Sequence, residues 1–145
     1  MIDLLKRSRV IFYYNSAISG STLFAQHASN SVCSPTPLPS VSSVLDEDEV
    51  SLSIVHTPPA DVTSIISHTM KLPAHLLQAN TAFREQVDTP EGIITVYLAH
   101  FTALNPPHQL MAEKGGKLKT LAELRNSPSA ELELLRRAYV LLMES

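Results

Sequence analysis

The segment Ile93–Leu104 constrains the fold most. Ile94, Val96, Leu98, His100, Thr102 and Leu104 alternate with Ile93, Thr95, Tyr97, Ala99, Phe101 and Ala103. Both resulting faces are mostly apolar, so a strand here must be covered on both sides and belongs in the middle of a sheet. Thr89-Pro90-Glu91-Gly92 just before it carries the proline and glycine of a type I turn. Upstream, Val50–His56 alternates apolar and polar residues. The run 62–72 fits either a helical face or a strand, and its β-branched Val62, Thr63, Ile65, Ile66 and Thr69 favour a strand, Ile65–Leu72, hairpinned with Val50–His56. After Pro73, the spacing of Leu76, Leu77, Ala79, Phe83 and Val87 predicts a helix. Asn105-Pro106 and Ser127-Pro128 each start a further helix, with Lys117–Leu121 as a short strand between them. The last helix has a broad apolar face of Leu132, Leu135, Tyr139 and Leu142, widened by Leu134, Ala138 and Leu141. The element order lacks steady βαβ alternation. It predicts an α+β fold with a small mixed or antiparallel sheet of about four strands and two or three helices.

Charge divides the chain differently. No Asp or Glu lies between Leu4 and Leu45, and no Lys or Arg between Val10 and Met70. A basic patch, Lys6-Arg7-Ser8-Arg9, precedes the apolar Val10–Tyr14 and then a run of small residues. That order matches a secretory signal, but Asn15, Ser16, Ser19 and Gly20 interrupt the apolar core; a transit peptide would need basic residues beyond Arg9. Pro35, Pro37 and Pro39 read as an extended linker. Residues 1–45 are therefore read as a disordered Ser/Pro leader, and residues 46–145 as one small soluble domain beginning at the acidic run Asp46–Glu49. An uncleaved leader leaves the protein in the cytoplasm, whereas a cleaved signal exports it. The apolar stretch is too short and too polar to span a membrane.

The search for chemistry mostly excludes. A net charge of −3 offers no basic face for nucleic acid. Gly115-Gly116-Lys117 lacks the remaining residues of a phosphate loop. The single cysteine, Cys33, allows no intramolecular disulfide and has no basic neighbour to activate it. No two of the six histidines are spaced to bind a metal from one helical face, so neither metal nor cofactor is expected. His68 and His100 fall on apolar faces of the expected strands, where desolvation could make either a neutral base, with Glu91 as an orienting carboxylate. Arg136-Arg137 reads as an exposed pair, with Glu133 an i,i+4 partner for Arg137.

The resulting expectation is a non-enzymatic binding or accessory module. It acts through protein–protein contacts, as a homo-oligomer or with a partner held by the last helix. The alternatives are a small histidine-dependent enzyme built on His68, His100 and Glu91, or a metal-binding protein whose ligands converge from separate segments.

Overall fold

In the computed structural model, which describes residues 2–16, 20–50 and 57–144, the doubly apolar segment is strand β6 (Gly92–Phe101). On one side it pairs with β1 (Ser8–Asn15), which runs parallel to it. On the other it pairs with β5 (Leu77–Thr89), antiparallel through the turn at Pro90-Glu91. β4 (Ser43–Val44) lies beyond β5, and β2 (Thr22–Gln26) and then β7 (Lys117–Lys119) lie beyond β1, all antiparallel to their neighbours. β3 (Cys33–Ser34) pairs with Val10 and Ile11, next to the Tyr13–Asn15 stretch that β2 takes. Among the described residues these seven strands make one mixed sheet, curled into a half-barrel. Among the described residues four α-helices accompany it: α1 (Ile2–Arg7), α2 (Pro59–Thr69), α3 (His108–Glu113) and α4 (Ser129–Glu144).

Alternation along β1 and β6 assigns the two cores. Ile11, Tyr13, Ile94, Val96 and Leu98 face Leu134, Leu135, Ala138 and Leu142 of α4. Val10, Phe12, Tyr14, Tyr97, Ala99 and Phe101 face Val62 and Ile66 of α2 and Met111 of α3, with Leu4 and Leu5 of α1 at the margin. Each fully buried large side chain contributes about 1.5–3 kcal/mol, so the two central strands hold both layers in place.

Several expectations are corrected. The sheet has seven strands rather than about four, although the fold remains a mixture of helix and strand. The disordered leader is overturned by β1, which lies in the middle of the sheet with its first seven residues buried. Both faces of the uninterrupted apolar run Val10–Tyr14 meet a core. The basic patch also has a structural role. The Arg9 guanidinium donates to the carbonyls of Leu5 and Ser8, both at 2.9 Å, and of Pro37 at 3.3 Å, tying the end of α1 to the proline segment.

The strand expected at Ile65–Leu72 is corrected to helix as far as Thr69, where α2 ends in a turn. Pro59 starts α2, and burial of Val62, Thr63 and Ile66 outweighs their β propensity. Their expected partner falls largely at residues 51–56, outside the described residues. The helix expected after Pro73 is instead β5. A bulge between Asn80 and Arg84 reverses the alternation, so Leu77 packs on the α2 side while Phe83 and Val87 pack on the α4 side. That reversal produces spacings that imitate a helical stripe.

Candidate functional site

The two proposed bases stand on opposite faces of the sheet. His100 shares the α4 face with Leu98 and sits beside Tyr13, with ring centroids 5.8 Å apart. Burial lowers its pKa from the ordinary histidine value. The Tyr13 hydroxyl accepts a hydrogen bond from Asn80 Nδ2 at 3.3 Å. Glu91 lies in the hairpin turn, where its backbone N–H donates to Thr89 Oγ1 at 3.2 Å. Eight strand residues lie between it and His100, a span of roughly 30 Å. Glu91 therefore does not orient His100.

His68 lies in the last turn of α2, exposed, on the wall of a groove of about 390 Å³ between that helix and the start of β5. The helix contributes Ala60, Thr63, Ser64, Ser67 and His68, a one-faced stripe of small and polar side chains. The strand contributes Leu77, Gln78 and Ala79. His75 closes one end with a left-handed backbone, φ +67°. Its carbonyl accepts from Thr102 Oγ1 at 2.7 Å, which anchors this unfavourable conformation. Among the described residues, no acidic side chain and no Lys or Arg lines the groove. It offers hydroxyl, amide and imidazole groups on an otherwise apolar surface.

Sequence reasoning missed a second set of polar groups, because they lie in the supposed leader. His27 Nε2 and Ser34 Oγ share a hydrogen bond at 2.5 Å, and the His27 ring stands edge-on to Phe12. Burial pushes this imidazole down to about 4. Ser34 is fully buried, which closes it to any substrate. Glu131, 3% exposed near the start of α4, accepts from Ser31 Oγ at 2.8 Å and from the Val32 N–H at 3.1 Å. It holds the segment leading into β3 against the helix. Cys33 lies in the same segment, and burial raises its thiol pKa far above the ordinary range. These groups lock one part of the chain to another. Their one advance signal was the clustering of hydroxyls and a histidine just before the prolines.

Glu123, Asp46 and Glu49 are committed to structure. Glu123 accepts from both the N–H and the hydroxyl of Thr120, a reciprocal cap that lowers its pKa. Asp46, Asp48 and Glu49 are the carboxylates that approach one another closely enough for a cation among the described residues, and all three are exposed. Asp46 pairs with Arg137 at 3.0 Å, and Glu49 accepts from the Asp46 N–H at 2.9 Å.

On the outside of α4, Tyr139, Val140 and Met143 form an exposed apolar surface, with Val140 54% and Met143 52% exposed. Arg136 lies one turn before Val140 and Glu144 one turn after it. Among the described residues, no helix is long and apolar enough to cross a membrane. No protein-family model matches the chain, and no curated protein matches it.

Proposed function

We propose that this protein is a non-enzymatic binding or accessory module whose working surface is the outer face of α4, and that its partner there is a second copy of the chain. The supporting observation is the self-complementary arrangement of that face. Arg136, Val140 and Glu144 are spaced by four residues along one side of the helix, with Tyr139 and Met143 beside them. When two such helices cross antiparallel at Val140, Arg136 of each copy meets Glu144 of the other around a shared apolar centre. A two-fold contact requires this self-complementarity. The inner face of α4 is already occupied by the core, so this surface is additional to what folding needs.

Sedimentation equilibrium over a wide concentration range tests the reading. A dimer is expected, and Val140→Glu should dissociate it. Arg136→Glu and Glu144→Arg should each weaken it by about tenfold or more, because each introduces two like-charge contacts. The double exchange should restore it. A monomer at every concentration, or a dimer indifferent to all of these changes, overturns the proposal.

A further inference from the structure

We infer that the groove between α2 and β5 binds an extended, uncharged peptide segment of a partner protein, which adds to the sheet as a strand along Leu77–Ala79. This site is separate from the α4 surface and does not depend on it.

The backbone provides the first argument. Thr102 N–H donates to the Leu76 carbonyl at 2.7 Å, a ladder bond flanking the Leu77–Phe101 pair. With Leu77 opposite Phe101, Gln78 opposite His100 and Ala79 opposite Ala99, antiparallel alternation turns Gln78 toward β6 and Leu77 and Ala79 outward. β4 covers β5 only at Val87 and Asp88. Among the described residues, the outward N–H and C=O groups of Leu77 and Ala79 have no strand beside them. Both residues line the groove. Exposed edges are usually blunted by charge, proline or a covering element. Here α2 stands at a distance set by small side chains, Ala60, Ser64 and Ser67, and a channel remains.

The second argument is the helix wall, where Ser64, Ser67 and His68 place neutral hydrogen-bonding side chains along the groove. The groove thus provides a backbone ladder on one wall and neutral hydrogen-bonding side chains on the other. Strand addition uses this combination, with main-chain bonds supplying affinity and side-chain contacts supplying selectivity. The neutral lining among the described residues makes a neutral peptide the complementary occupant.

A randomised octapeptide display library selected against the intact protein tests this. Enriched peptides should be uncharged, and their binding should slow hydrogen exchange at the Leu77 and Ala79 amides. Ala79→Pro deletes one outward N–H and leaves the β6-facing bonds intact, as edge prolines do. It should weaken these peptides by about tenfold. Ser67→Arg, on the helix wall, should weaken them too and provides a second test if the proline variant does not fold. Methylating alternate peptide nitrogens should abolish binding with side chains unchanged. Failure to enrich any peptide overturns the inference. So does enrichment of peptides that bind both variants undiminished or that protect other amides.

Discussion

His27 couples folding to pH with a definite sign. Its imidazole titrates near 6.5 in the unfolded chain and near 4 in the folded one, because burial disfavours the charged form. Between those values the unfolded chain holds the extra proton, so stability falls as pH drops from about 6.5 to about 4 and levels off below. The loss reaches roughly 3 kcal/mol. Burial shifts His100 in the same direction, so its contribution has the same sign. Urea denaturation across this window should show the decline, and His27→Gln, which keeps a partner for Ser34 Oγ, should flatten it. An unchanged pH slope in that variant would assign the acid sensitivity elsewhere. Cys33 gives the complementary prediction. A fully buried thiol with a raised pKa has neither thiolate nor access. Its labelling by a disulfide reagent should therefore be slow in native buffer and fast in denaturant, and fast native labelling would contradict its burial.

At the scale of elements, Arg137 is the main polar tie between α4 and the sheet edge. Its Nη1 donates to Glu85 at 2.6 Å and to the Leu45 carbonyl at 2.9 Å, its Nε to Glu133 at 2.8 Å, and its Nη2 to Asp46 at 3.0 Å. Burial opposes the charge, but the hydrogen bonds to Glu133 and Glu85 outweigh it and raise the pKa. Arg137→Ala should cost about 1–3 kcal/mol in equilibrium unfolding, because charge-assisted bonds are lost and Glu85 loses its cation. Arg137→Lys should recover only part, since one ammonium cannot span four acceptors. Sequence spacing showed the Glu133 contact but not the other three, which come from Leu45 and Asp46 at the start of the acidic run and from Glu85 in β5. The same difference in range separates the readable elements from the misread ones. β6 and the Pro90-Glu91 turn follow from local pattern. α2 does not, because burial of Val62 and Ile66 overrides propensity, and β5 does not, because its bulge disguises the alternation. His68 was singled out from an apolar face that does not exist. It nonetheless borders the groove, through a helical stripe whose small residues carry no hydrophobic signal.

At the scale of the molecule, the chain's two ends are interdependent. β1 supplies the parallel neighbour of β6 and contributes side chains to both cores, so a unit starting at residue 46 would expose the apolar side of β6 and leave α4 without Ile11, Tyr13 and Phe24. Native-state hydrogen exchange separates this arrangement from that of a leader joined to an independent domain. Amides of Val10–Tyr14 and Ile94–Phe101 that bond within the sheet should exchange last and together, only through global unfolding. In the free protein, the outward amides of Leu77 and Ala79 should exchange early although both belong to the same hairpin. Deleting residues 1–45 should abolish the cooperative thermal transition. A truncated chain that kept that transition, or β1 amides exchanging well ahead of β6, would show that the first strand is dispensable. The two central strands would then have to be stabilised by something other than each other.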